Sequence, residues 1–140
     1  MKPLTFSLAI VSALALTALT AAAQDKTFDA GKLPPAADKK GVTFDTDIKP
    51  IFEKSCAKCH GGEKPKSRLS LETQSGAVKG GKNGPDIVPG KADKSPLVYA
   101  VAHAGDEDDF MPPPKNKANI GPLTKEQVGL IRAWIDQGAK

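Results

Sequence analysis

Cys56, Cys59 and His60 stand in the order Cys-x-x-Cys-His, and the chain has no other cysteine. Two thiols one helical turn apart can each add S–H across a porphyrin vinyl group, forming two thioethers, and the imidazole that follows is then placed beneath the iron. The spacing therefore predicts one covalently attached haem c, held by Cys56 and Cys59, with His60 as an axial ligand. A thioredoxin-like thiol pair needs a βαβ framework, and no strand pattern surrounds this motif. A structural zinc site needs four ligands, usually in two pairs, whereas only one other histidine, His103, is present.

The second axial ligand is sought among Met and His. Electron-transfer haems often pair His with Met, whose thioether raises the reduction potential. Beyond residue 23 the one methionine is Met111, in Phe110-Met111-Pro112-Pro113-Pro114. A lone Met is commonly core filler. Beside three prolines that fix the backbone, Met111 is instead the expected ligand. His103 is the competitor, but it falls in the last turn of a predicted helix, where a cation is favoured whether or not it binds metal. A ligating histidine also needs an acceptor for its other ring N–H. Asn83-Gly84-Pro85 offers the Pro85 carbonyl, although an ordinary turn has the same sequence. Asp106 to Asp109 lacks the ligand spacing of a calcium loop and reads as a solvated turn.

Three helices are predicted to position these groups. Ile48, Ile51 and Phe52 make one apolar face leading into Cys56, with Asp47 as cap in view of Pro50. Ser95 and Pro96 open a second helix with Leu97, Val98 and Val101 on its face, which Gly105 can end. Thr124 to Gln127 form a capping box for a third, whose stripe is Val128, Ile131, Trp134 and Ile135, and Gly138 stops it. Between the first two lies a long Gly-, Pro- and Lys-rich stretch from Gly61 to Lys94, which a compact domain seldom keeps without a functional reason. Aromatic residues are few, so a buried macrocycle is expected to complete the core.

Upstream, Lys2 and the apolar run Leu4 to Thr20, followed by Ala21-Ala22-Ala23, read as a secretory signal peptide over residues 1–23. Residues 24–42 are expected to be a flexible leader and residues 43–140 a monohaem domain. Cleavage leaves no membrane span and lowers the formal charge from +4 to +3, since only Lys2 is lost. Two haem propionates would bring this near neutrality, and no arginine-rich stripe with interleaved aromatics argues for nucleic acid. Lys54, Lys58, Lys64, Lys66, Lys79 and Arg68 gather around the motif, and Asp106 to Asp109 carry the opposite charge. Such a dipolar surface can steer a charged partner, though solvated faces explain most charge runs.

At these residues the sequence resembles class I cytochrome c, and more closely the planctomycete-type cytochrome c domain. The similar pattern runs from Ile48-Lys49-Pro50-Ile51-Phe52 through Cys56-Ala57-Lys58-Cys59-His60-Gly61 and Arg68-Leu69-Ser70-Leu71-Glu72-Thr73. It continues through Gly80-Gly81, Gly84-Pro85, Val88-Pro89-Gly90, Ser95-Pro96-Leu97 and Met111-Pro112-Pro113 to Trp134-Ile135 and Gly138-Ala139. The resemblance implies an all-α fold, class I cytochrome c-like, with three to four helices and long loops around one haem. It implies that Phe52 meets Trp134 where the terminal helices cross, that His60 and Met111 ligate the iron, and that Pro85 accepts from His60. The expected protein is a monomeric periplasmic or secreted electron carrier, not an enzyme, serving redox partner proteins. Two alternatives stay open: a haem sensor or peroxidase-like protein from whose iron Met111 dissociates, and an electron-transfer subunit docked on a dehydrogenase or oxidase.

Overall fold

The computed structural model describes residues 28–140, so the signal peptide expected at 1–23 lies outside the described residues. Among the described residues five α-helices carry the fold, against the three to four expected: α1 (Lys49–Ser55), α2 (Ala57–His60), α3 (Gln74–Lys79), α4 (Pro96–Ala102) and α5 (Lys125–Asp136). Among the described residues the only β pairing is a single bridge between Gly81 and Gly84.

A widened π-helical turn, Phe44–Ile48, leads into α1, and the Lys49 N–H reaches back to the Phe44 carbonyl. Pro50 supplies no N–H to the turn before it, which suits this wider geometry. Asp47 therefore lies inside the turn instead of capping α1. Its carboxylate accepts from the Thr43 N–H at 3.0 Å and pairs with Lys39.

The few aromatic residues are concentrated rather than spread. Phe44, Phe52 and Trp134 form one cluster with centroids 5.7–6.3 Å apart, Phe52 meeting Trp134 edge-on at 85°. Edge-to-face pairs of this kind add about 0.5–1.5 kcal/mol beyond the area they bury. The contact inferred for Phe52 and Trp134 is thus present, and Phe44 of the π turn completes it. Helix α5 begins with the predicted capping box: Gln127 N–H donates to Thr124 Oγ1 and Thr124 N–H to Gln127 Oε1.

Helix α4 departs from expectation at both ends. Ser95 precedes it but does not cap it. The Ser95 hydroxyl is buried, donating to the Lys91 carbonyl and accepting from the Val88 N–H, both at 2.9 Å. At the other end His103, not Gly105, turns the chain, in the left-handed conformation at φ 51°.

The described part of the expected leader is docked along α5 and α4. Phe28 stacks on Tyr99 with centroids 4.3 Å apart, Leu33 is buried, and Arg132 Nη1 donates to the Pro34 carbonyl. Ala37 N–H donates to the Gly129 carbonyl at 2.9 Å, and Gln137 bonds Lys39 and Val42. A glycine is needed at 129, because a Cβ there would lie 2.7 Å from the Pro35 carbonyl oxygen. No apolar periodicity marks this strap, since it is held by backbone groups and two anchor side chains. Among the described residues no helix is long and apolar enough to cross a membrane.

Candidate cofactor site

Helix α1 ends at Cys56, whose φ of −127° kinks the chain, and α2 follows as a single turn. The N–H groups of Cys59 and His60 both reach the Cys56 carbonyl, at 3.0 and 2.9 Å. The two thiols therefore stand one turn apart, Cys56 buried and Cys59 exposed, with no disulfide between them. Burial, with Cys59 nearby, pushes the Cys56 thiol up to about 12. Among the described residues no three His, Cys, Asp or Glu side chains converge in the manner of a structural metal cage.

Gly61 lets the chain leave α2 at close quarters. A Cβ there would lie 2.6 Å from the Ala57 carbonyl oxygen and 2.8 Å from Glu72 Oε1. Glu72 in turn accepts from the Gly62 N–H at 2.9 Å.

His60 is buried and pinned by the segment that follows. Its Nδ1 lies 3.3 Å from the Leu69 carbonyl oxygen, and its own carbonyl accepts from the Leu71 N–H at 2.8 Å. A carbonyl can only accept, so this bond places the proton on Nδ1 and leaves the Nε2 lone pair for a metal. The Leu69 carbonyl is set by two left-handed residues just before it, Ser67 at φ 53° and Arg68 at φ 59°.

Pro85 was expected to accept from His60, and the acceptor in the structure is Leu69. The Gly84-Pro85 segment instead packs against Gly80, where a Cβ would lie 2.3 Å from the Gly84 oxygen and 2.6 Å from Pro85 Cα. Asp86 beside it accepts from the Gly81 N–H at 3.1 Å, and its carbonyl accepts from the Leu97 N–H at 2.9 Å. Burial raises the Asp86 carboxyl above its usual range, opposed by the Gly81 N–H and by nearby His60. Leu69 and Asp86 are thus the residues that sequence reasoning missed. The alternation of Leu69 and Leu71, both buried, was the available signal for the first. Asp86 has no such mark.

Met111 is half-buried against the core and is delivered by α4, its N–H donating to the Ala100 carbonyl at 3.0 Å. The peptide bond to Pro112 is cis. His103, the competing ligand, is engaged by the same loop: its ring stacks on Phe110 at 4.5 Å and Nε2 lies 3.1 Å from the Pro112 carbonyl oxygen. The lysines and Arg68 around the motif and the acidic run Asp106 to Asp109 are all exposed. A cleft of about 270 Å³ between the strap, α4 and α5, lined by Leu33, Ala102, Leu123 and Val128, includes none of the predicted site residues.

The donor set fits a c-type haem. It offers two unpaired thiols one turn apart, an imidazole with Nδ1 committed and Nε2 free, and a half-buried thioether on a separately anchored loop. Comparison with known families agrees: residues 56–115 match the family described as Planctomycete cytochrome C. The match starts at the first cysteine and takes in Cys56, Cys59, His60, Pro85 and Met111, while α1 and α5 lie outside it. No curated protein and no solved structure matches the chain.

Proposed function

We propose, from the planctomycete cytochrome c match, that residues 43–140 form a class I cytochrome c-like monohaem domain that passes single electrons between redox partner proteins outside the cytoplasm. In this reading Cys56 and Cys59 would hold haem c through thioethers, and His60 Nε2 and Met111 Sδ would be the groups that bind its iron. The group supplies a one-electron Fe(III)/Fe(II) couple when bound. The chain's own residues do the rest. The Leu69 carbonyl fixes the tautomer of His60 and makes its Nε2 a better donor. The Ala100 carbonyl holds the backbone of Met111. Pro85 supports the Gly80–Gly84 turn beside the site, and the Leu69 carbonyl accepts the hydrogen bond from His60 Nδ1–H.

The observation that carries the reading is the state of His60, buried, with one ring nitrogen bonded to a main-chain carbonyl and the other available. Were His60 and Met111 both bound to the iron, no position would be open to substrate, which is why the protein is read as a carrier and not an enzyme. Residues 1–23 serve as the export signal in this reading, and the carrier acts as a monomer.

The test is the optical spectrum of the oxidised holoprotein. The weak red charge-transfer band of Met–Fe(III) is expected in the wild type and absent from Met111→Ala. The reduced wild type is expected not to take up carbon monoxide at neutral pH. A wild type that lacks the red band and binds carbon monoxide tightly overturns the carrier reading in favour of a sensor or peroxidase.

A further inference from the structure

Helix α4 closes on His103 in a turn that glycine usually makes. His103 N–H bonds the Ala100 carbonyl at 3.3 Å, and Ala104 N–H bonds the Tyr99 carbonyl at 3.0 Å. This pair of bonds around a left-handed residue is the common helix-ending motif, in which a side chain at the left-handed position is disfavoured. A histidine kept there, at φ 51° and ψ 43°, needs something in return from its side chain.

The ring provides two contacts, one on each side of Met111. One face lies flat on Phe110, with centroids 4.5 Å apart and planes 8° from parallel. Nε2 lies 3.1 Å from the Pro112 carbonyl oxygen, which can only accept, so Nε2 carries the hydrogen. Meanwhile Met111 N–H bonds the Ala100 carbonyl, the same oxygen that receives the His103 N–H. One residue and one carbonyl thus hold the three consecutive residues Phe110, Met111 and Pro112.

We propose that His103 is a positioning residue for the second iron ligand: it clamps the loop on both sides of Met111 and so holds the thioether in place. The inference rests on Met111 as ligand. It also gives His103 a role other than ligation, because the nitrogen facing Pro112 is occupied by that bond.

The variant that separates this role from a structural one is His103→Gly. Glycine suits the left-handed turn, so the helix end is kept and its strain relieved, while both ring contacts are lost. Holoprotein of wild type and His103→Gly is titrated with imidazole in the oxidised state, following the red band of Met–Fe(III). The variant is expected to exchange Met111 for imidazole at roughly tenfold lower concentration, the scale of losing one hydrogen bond and one stack. Its thermal unfolding midpoint is expected to be equal or higher. Phe110→Leu, which keeps His103 and removes the stack alone, is expected to fall between the two. Unchanged imidazole titration in His103→Gly overturns the proposal, as does a shift matched by an equal loss of global stability. A wild type without the red band overturns the ligand assignment itself, which is a separate and prior failure.

Discussion

Gly80 offers the sharpest check on the local architecture beside the site. Its φ is 79°, and a Cβ would lie 2.3 Å from the Gly84 oxygen and 2.6 Å from Pro85 Cα, where ordinary contact begins at 3.4 Å. Gly62 also has a positive φ, 72°, yet a Cβ there would meet nothing within 4 Å. Gly62 therefore shows backbone strain without steric conflict, whereas Gly80 carries both. At Gly80, φ 79° with ψ −175° is a conformation open essentially only to glycine, so alanine costs about 1–3 kcal/mol there, against about 1–2 kcal/mol for the positive φ at Gly62. At Gly80 about 1 Å of backbone must also move, and overpacking of that kind costs about 1–3 kcal/mol more. Gly80→Ala is thus expected to lose about 2–6 kcal/mol and Gly62→Ala about 1–2 kcal/mol. Guanidinium unfolding of both holoproteins, followed by far-ultraviolet circular dichroism, measures the difference. Equal losses, with an unchanged denaturant slope, would refute the close approach of Gly80 to the Gly84-Pro85 segment. The same displacement would loosen Asp86, whose carbonyl bonds the first turn of α4 at Leu97.

Gly129→Ala gains about 1 kcal/mol of helix propensity but sets a Cβ 2.7 Å from the Pro35 oxygen. Overpacking at about 1–3 kcal/mol outweighs that gain, so net destabilisation and faster proteolysis within 28–42 are expected, and a more stable variant with an equally resistant strap would contradict the docking. Cys56→Ser and Cys59→Ser are each expected to retain haem on a denaturing gel through the remaining thioether, and the double variant to lose it. Covalent haem persisting in the double variant would exclude these cysteines as the attachment points. Asp47 is held below the usual carboxylate range by Lys39 and the Thr43 N–H. Because its folded pKa is depressed, its stabilisation is present above the unfolded value and is lost as pH falls through the folded one. Urea unfolding should find Asp47→Asn weaker than wild type at neutral pH and indistinguishable in acid.

The cysteine–histidine motif was more legible than the scaffold. Cys-x-x-Cys-His is local, so its reading needs no tertiary knowledge, and the capping box of α5 is local in the same sense. Helix α3 was hidden because it is six residues long and buries only Ala77, too short for a 3.6-residue period to show. The strap was hidden because main-chain groups and a missing Cβ hold it, and neither leaves a pattern of side-chain types. Pro85 was the natural choice of acceptor from its turn sequence. The Leu69 carbonyl is brought to His60 by two left-handed residues, Ser67 and Arg68, that have no propensity for that conformation. His103 was read as a residue of the last helical turn, whereas it lies one step beyond, where the chain reverses. The strap, the Leu69 carbonyl and the His103 turn share one cause: the decisive group is a backbone atom, whose direction depends on the fold and not on the residue type.

Those backbone atoms make α4 the element on which the proposed site depends, although it carries no predicted ligand. Its first turn is tied to the loop beside His60 through Leu97 N–H and the Asp86 carbonyl. Its last turn holds Met111 through the Ala100 carbonyl, and the His103 ring secures the residues on either side. Seven helical residues span roughly 10 Å, so a rigid rod of fixed length joins the surroundings of the two proposed ligand residues. The rod is itself braced, with Leu97, Val98, Tyr99 and Val101 all buried and Phe28 of the strap stacked on Tyr99. A carrier of single electrons works best when its ligands barely move between oxidation states. In the proposed carrier, a helix tied down at both ends would supply that rigidity without contributing a donor atom to the iron.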